Sequence, residues 1–201
     1  CWIPSHLNYE KIIEGLYNMY NEIPHQPIEE SLNSDALKEK IKFSLNFMEH
    51  IFGEQLELGL DYIKILLEKP TQMLPILCLV SKERSTGKST FIKWLKSIFG
   101  LNMTYIKGDS FNSQFNSDWD SMLIVAIDEV FFDKIEITER LKYLSTTDKD
   151  KMEAKGKDRE EVEFFGKFIL CSNNEDNFIQ IDEEETRFWI IKVKSIKNEN
   201  T

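Results

Sequence analysis

The rhythm of apolar and polar positions changes once along the 201 residues, near Met73. Before it, apolar residues recur at three- and four-residue intervals over Leu7–Ile23 and again over Ser34–Phe52, which predicts two amphipathic helices. Ser34, just ahead of Asp35, is placed to cap the second. A third helix is predicted over about Gln55–Glu68. Lys69-Pro70-Thr71 ends it, because proline has no amide hydrogen to donate. Beyond Met73 the apolar residues gather into short continuous runs. Leu74–Val80, Met122–Ile127 and Phe164–Cys171 read as strands, Met103–Ile106 as a weaker one, and Phe188–Val193 as the last. Helical patterns over Lys88–Phe99 and roughly Ile135–Leu144 separate several of them. Near-continuous apolar strands alternating with helices predict an α/β fold whose parallel sheet is covered on both faces. The expected organisation is an N-terminal helical segment, 1–70, acting as a collar or linker, then an α/β domain over 71–201.

The run Leu74–Val80 leads into Ser81-Lys-Glu-Arg-Ser-Thr-Gly87-Lys88-Ser89-Thr90 and then into the amphipathic stretch ending at Phe99. Strand, loop and helix form the context in which Gly-Lys-Ser cradles phosphate. Ser85, Thr86, Gly87, Lys88, Ser89 and Thr90 are the candidate nucleotide-binding residues. Backbone N–H groups at the helix start face the anion, Lys88 reaches the β- and γ-phosphates, and the Ser89 hydroxyl serves Mg²⁺. The expected ligands are ATP, as substrate, and Mg²⁺. One position departs from the G-x-x-x-x-G-K-S pattern: Lys82 stands where a permissive glycine is expected, which calls for a reshaped turn.

Further candidates lie downstream. Leu123–Ile127 ends in Asp128 and Glu129, with Asp128 placed for the Mg²⁺ shell beside Ser89 and Glu129 for polarising an attacking water. Phe168–Cys171 ends in Ser172-Asn173-Asn174, where Asn173 can bond a γ-phosphate or orient the water, or simply form a turn. Arg187 follows an acidic loop and opens the last strand. It is either a finger reaching a neighbouring subunit's triphosphate or one half of an ion pair with Glu183–Glu185. Lys149–Arg159 is the basic island of the chain, and Gly156 between Lys155 and Lys157 reads as a hairpin tip able to grip a nucleic-acid backbone, or as a solvated turn.

Composition narrows the picture. With 41% hydrophobic residues, 14 Phe and 4 Trp, the chain can bury a substantial core. A net charge of −10 argues against a surface given over to nucleic acid and leaves room for a local basic element. Cys78 and Cys171 fall inside apolar runs and read as buried thiols, with neither disulfide nor zinc spacing. His6, His25 and His50 are too scattered for a metal set. No apolar run approaches the length of a membrane span, so a soluble protein is expected, and its unpaired cysteines fit a reducing, cytoplasmic setting. The chain starts at Cys1 rather than Met, which reads as a piece of a longer protein.

These elements, in this order, resemble the superfamily 3 helicases of the AAA+ class, and most of all the helicase-like domains of phage and mobile-element primase–helicase proteins. The resemblance spans about residues 73–193. Motif A corresponds to Lys82–Thr90, motif B to Leu123–Glu129, motif C to Ile169–Asn173, the DNA-contacting hairpin to Lys155–Lys157, and the arginine finger to Arg187. The resemblance implies a ring, expected as a hexamer, with ATP between subunits and Arg187 supplied in trans. It implies single-stranded DNA in the pore, and a primase or other replication domain elsewhere in the polypeptide. A collar often precedes such domains.

Two other readings share the phosphate cradle: an NTPase switch or scaffold acting on a protein partner, and a small-molecule kinase, which would need an acceptor pocket and lid arginines from a chain with few arginines. The basic island separates the DNA-translocating reading from the switch. If the chain translocates on DNA, replacing Lys155 and Lys157 by Ala abolishes stimulation of ATP hydrolysis by single-stranded DNA. A switch keeps its ATPase unchanged in that variant, so a DNA titration of steady-state turnover distinguishes them.

Overall fold

The computed structural model describes residues 1–25, 35–111, 119, 121–130, 135–147, 149–152, 160–182 and 184–196. Its elements in chain order are β1 (Ile12–Ile13), β2 (Leu16–Tyr17), α1 (Asp35–Phe52), α2 (Leu56–Glu68), β3 (Ile76–Val80), α3 (Lys88–Phe99), β4 (Met103–Lys107), α4 (Gly108–Phe111), β5 (Ile124–Asp128), α5 (Ile135–Thr146), β6 (Lys149–Met152), β7 (Glu160–Glu163), β8 (Lys167–Ser172) and β9 (Phe188–Lys192). Five of the strands form one sheet in the order β4-β5-β8-β3-β9. Every neighbouring pair in it is parallel.

The apolar runs are buried because both faces of this sheet are covered. In β3 alternate residues point to opposite layers. Leu77 and Leu79 join a cluster with Phe91, Leu95 and Phe99 of α3, together with Ile51 and Phe52 of α1. Ile76, Cys78 and Val80 join one with Leu141 and Leu144 of α5, Phe111 and Trp119. Cys78 and Cys171 are fully buried, as their context in the sequence predicts. Proline explains why β3 starts at Ile76 and not at Leu74: Pro75 cannot donate to the ladder, and its carbonyl accepts instead from the Tyr62 hydroxyl at 3.3 Å.

The helix expected over Leu7–Ile23 is absent. That stretch holds the antiparallel hairpin β1–β2, pairing Ile12 with Tyr17 and Ile13 with Leu16. Glu14 and Gly15 both have positive φ, 50° and 81°, as a two-residue turn that follows the right-handed strand twist requires. Asn18 reinforces it. Its buried amide donates to the carbonyls of Ile3 and Glu10 and accepts from the backbone of Ile3 and Tyr20. Most of the three- and four-residue spacing has no buried face behind it: Leu7, Ile12, Leu16, Tyr17 and Met19 are each more than half exposed, while Tyr20 and Ile23 at its end are buried. The other two N-terminal helices form, α1 from Asp35 and α2 from Leu56 to Glu68; Ser34 lies outside the described residues. Trp2, Tyr20 and Ile23 pack into the same cluster as α1, α2 and one face of the sheet.

The basic island begins as predicted, in an antiparallel hairpin. β6 and β7 pair from Lys149 with Glu163 to Met152 with Glu160. Lys155, Gly156 and Lys157 lie outside the described residues.

Helices α1 and α2 meet where Gly59 faces Phe52. A Cβ at Gly59 would stand 2.4 Å from the Phe52 ring. That ring is fixed edge-on to Phe91 at 5.5 Å and stacked on Trp189 at 5.6 Å, so it has no room to retreat. Glycine to alanine in a helix ordinarily stabilises by roughly 0.5–1 kcal/mol, whereas overpacking costs about 1–3 kcal/mol. Gly59→Ala is therefore expected to destabilise the fold by about 1–2 kcal/mol, read as a lowered urea midpoint at unchanged slope. A raised midpoint would mean that Phe52 is free to move.

Candidate functional site

Parallel strands send all their C-terminal ends to one edge, and this sheet reverses its order at β3, whose neighbours β8 and β9 are the last strands of the chain. Ligands of open α/β sheets bind in the crevice such a reversal creates. The edge here carries a cleft of about 450 Å³ lined by Arg84, Ser85, Thr86, Gly87, Lys88, Ser89, Thr90, Asp128, Glu129 and Asn173. The volume is that of an ordinary small-ligand site. Every candidate from the motif A, B and C segments therefore meets in one place.

The loop after β3 is held by backbone geometry and by α1. Ser85 (φ 57°) and Gly87 (φ 96°) take the left-handed conformation. Gly87 has no alternative: besides its φ, a Cβ there would stand 3.3 Å from Phe47 and 3.4 Å from Ile51. His50 of α1 donates from Nε2 to the Thr86 carbonyl at 2.9 Å. Gly87 caps α3, whose first turn directs its free N–H groups into the cleft, the usual arrangement for holding an anion. Lys82 needs none of this freedom. Its φ is not positive. Its N–H donates to Glu175 Oε1 at 3.1 Å, and its ammonium lies 3.8 Å from Asp176. The loop turns later than the pattern implies, at Ser85, and the side chain of Lys82 points away toward the segment after β8.

Lys88 is buried, at 6% exposure. Its ammonium donates to Ser81 Oγ, to Thr86 Oγ1 at 3.1 Å and to Asn173 Oδ1 at 3.0 Å, all neutral acceptors. Burial pushes its pKa below the ordinary lysine value, opposed by the negative potential of nearby groups including Asp128 and Glu175. The arrangement is a desolvated cation aimed into a cleft lined by amide donors, which favours an incoming anion.

Asp128 accepts from Glu129 N–H through Oδ1 at 2.8 Å, and through Oδ2 from Ser89 Oγ at 3.3 Å and the Tyr105 hydroxyl. Ser89 and Asp128 thus present a hydroxyl and a carboxylate to one point, a hard oxygen set of the kind Mg²⁺ takes. Glu129 has φ 55°. A non-glycine residue held there is strained, and such strain gathers at working sites. It turns the Glu129 carboxylate toward Lys107, 3.4 Å away. Ser172 locks the two loops together: its hydroxyl donates to Val130 O at 2.7 Å and accepts from Asn174 N–H at 3.1 Å.

Tyr105, Lys107, His50 and Ser81 were not among the residues singled out from sequence. Tyr105 and Lys107 alternate along β4, a weak strand in the chain's pattern, and only the β4–β5 register, Lys107 beside Asp128, brings them to the site.

Arg187 lies elsewhere. Its carbonyl accepts from Ile76 N–H at 2.8 Å, at the opposite edge of the sheet. The length of β3 separates it from the cleft by on the order of 15 Å. Its guanidinium meets Glu185 at 3.3 Å, within the ion pair with Glu183–Glu185 that its sequence context allows; Glu183 lies outside the described residues.

A family model described as "Family of unknown function (DUF5906)" matches residues 79–187. No curated protein matches the chain. Among solved structures, the apo NrS-1 C-terminal region superposes with a TM-score of 0.77 at 23% identity, covering 98% of this chain and 49% of that one. A second form of the same region gives 0.73 at 24% identity, with coverage of 96% and 47%. The chain spans about half the length of these chains and shares their fold. No described helix is long and apolar enough to cross a membrane.

The neutral partners of Lys88 predict an unusual stability effect. Truncating a well-packed buried residue ordinarily costs about 2–5 kcal/mol. Lys88→Ala also removes a desolvated charge, and Ser81 and Thr86, already 3.2 Å apart, can pair with each other. The variant is expected to unfold within about 1 kcal/mol of the parent in urea. A loss above about 3 kcal/mol would make Lys88 a structural residue.

Proposed function

The chain belongs to DUF5906, a family of unknown function, and we propose that it is an ATP-hydrolysing module of superfamily 3 helicase type, moving single-stranded DNA during replication. One observation carries the reading: Lys88, Ser89, Asp128, Glu129 and Asn173, drawn from three strand ends, line a single cleft at the start of α3. Unrelated surface residues have no reason to converge with that chemistry on a helix N-terminus.

The residues divide the work as follows. Backbone N–H groups of 85–90 cradle the β- and γ-phosphates of ATP, and Lys88 exchanges its neutral acceptors for phosphate oxygens. Ser89 and Asp128 hold Mg²⁺, whose charge offsets that of the phosphates when it is bound. Glu129 accepts a hydrogen bond from the attacking water and orients it toward the γ-phosphate, while Asn173, released by Lys88, is free to bond the γ-phosphate or that water. Arg187 sits too far from the cleft of its own chain to take part there. It serves a neighbour's, which makes the working form a ring, expected as a hexamer. The segment between β6 and β7 in the sequence, which carries Lys155 and Lys157, then faces the pore and grips the DNA backbone, so that symmetry gathers positive charge that one acidic chain lacks. A primase or other replication domain joined to this module would complete the machine, working in bacterial or phage-infected cytoplasm.

Complementation tests the trans arrangement. Glu129→Gln is expected to bind ATP without turnover. Arg187→Ala is expected to bind ATP and to hydrolyse it about 10³-fold more slowly. Mixed, the two recover part of the activity, because the first lends its arginine to the intact cleft of the second. Normal turnover in Glu129→Gln would remove it from the mechanism, and absence of recovery would leave Arg187 as the partner of Glu185 alone.

A further inference from the structure

Arg187 is presented by a small buried ionic assembly. Glu185 is nearly enclosed, with its side chain 10% exposed, and both of its oxygens are engaged. Oε1 accepts from the Arg187 backbone N–H at 3.0 Å. Oε2 accepts from Arg187 Nη1 at 3.3 Å and lies 3.1 Å from the ammonium of Lys142, which is equally enclosed. Lys142 comes from α5 and also meets Glu139 at 2.9 Å. The Arg187 side chain, by contrast, is 44% exposed. The chain immediately beyond is fixed as well, since the Arg187 carbonyl takes the N–H of Ile76. Arg187 is thus held at its backbone from both sides and by one terminal nitrogen, with its guanidinium facing outward.

Each charge has a separate task. A carboxylate as enclosed as Glu185 needs a permanent counter-charge, and Lys142 supplies it. The hydrogen bond from Arg187 N–H and the neighbouring cations hold the Glu185 carboxyl below the usual carboxylate range. Lys142, shared between Glu139 and Glu185, carries part of the charge on Glu185, and the guanidinium meets it through one nitrogen only. Its five donors in a fixed plane far exceed the one spent on Nη1. A long side chain left free at the surface would lose rotamer entropy on meeting a phosphate; one steadied in advance loses less.

We propose that Glu185, anchored by Lys142, is the positioning residue that aims Arg187 at the triphosphate of a neighbouring copy of this chain. The inference rests on the trans role of Arg187 given above. Glu185 touches neither nucleotide nor water, and it acts through Arg187.

A double-mutant cycle on ATP turnover tests it, using Glu185→Ala, Glu185→Gln, Arg187→Ala and the double variant Glu185→Ala with Arg187→Ala, each checked by thermal melting. Glu185→Ala is expected to lower kcat about ten- to a hundredfold at unchanged KM for ATP. Glu185→Gln, which keeps an acceptor for the Arg187 N–H, falls between it and the parent. In the Arg187→Ala background, Glu185→Ala costs nothing more, because the group it aims is gone. If Arg187→Ala collapses turnover while Glu185→Ala keeps the parental kcat, or if the two losses multiply, the positioning role is overturned and the trans arginine stands. Parental turnover in Arg187→Ala would overturn the trans arginine itself, and the positioning role with it.

Discussion

Everything at the C-terminal edge of the sheet is arranged around one ammonium group taken out of water and given only neutral partners. Lys88 meets two hydroxyls and an amide oxygen, while the nearby carboxylates are occupied elsewhere: Asp128 with Ser89 and Tyr105, Glu175 with the Lys82 N–H and Lys192. A buried lysine paired with a carboxylate would be satisfied, and closed to a ligand. Here the local compensation is incomplete, so the cleft is more favourable once an anion arrives. The rigid sheet makes this tolerable, because strands buried on both faces hold the loops in place whether or not the charge is met.

On the proposed reading, the two edges of the sheet carry different halves of one reaction. The C-terminal edge holds the proposed phosphate cradle, with Ser89 and Asp128 as its proposed metal oxygens and Glu129 as its proposed water-orienting carboxylate; the N-terminal edge holds Arg187, braced by Glu185 and pinned to the first residue of β3. The halves face apart within a chain, so on the proposed reading each is completed by another copy. The same helix, α5, supplies Lys142 to the brace and leads, within three residues of its end, into the β6–β7 hairpin. The segment proposed to touch DNA and the segment proposed to touch the neighbour's nucleotide are thereby attached to one short helix.

Much of this was legible in the chain because it is local. Lys88–Phe99 is a helix over the very residues its apolar spacing marks, and the strands before Ser81, Glu129 and Asn173 carry the continuous apolar character that burial on both faces demands. The edge that collects the site follows from parallel pairing. What could not be read is what depends on register and on turn geometry. Tyr105 and Lys107 belong to the site only because β4 lies beside β5. The Glu14-Gly15 turn converts an apparent helical repeat into a hairpin whose apolar residues face outward. Lys82 looked like a defect because the pattern counts residues, whereas the backbone places its left-handed turn three residues later, at Ser85.

The position of β3 has a consequence for how the protein is made. It is the first strand of the sheet to be synthesised, and its two neighbours, β8 and β9, are the last. Until the ribosome has passed Lys192, the strand leading into the proposed phosphate cradle lacks a hydrogen-bonded wall on one side. At about 5–20 residues per second, the nascent chain carries an unpaired apolar segment for several seconds. On the proposed reading, nucleotide has no assembled cradle to stabilise during that interval, so ATP would reward the completed fold but have nothing to guide on the way to it. Protection of β3 before then falls to chaperones or to the chain's own helices, and α1, made earlier and packed against the Gly87 turn in the finished fold, is the cover closest at hand.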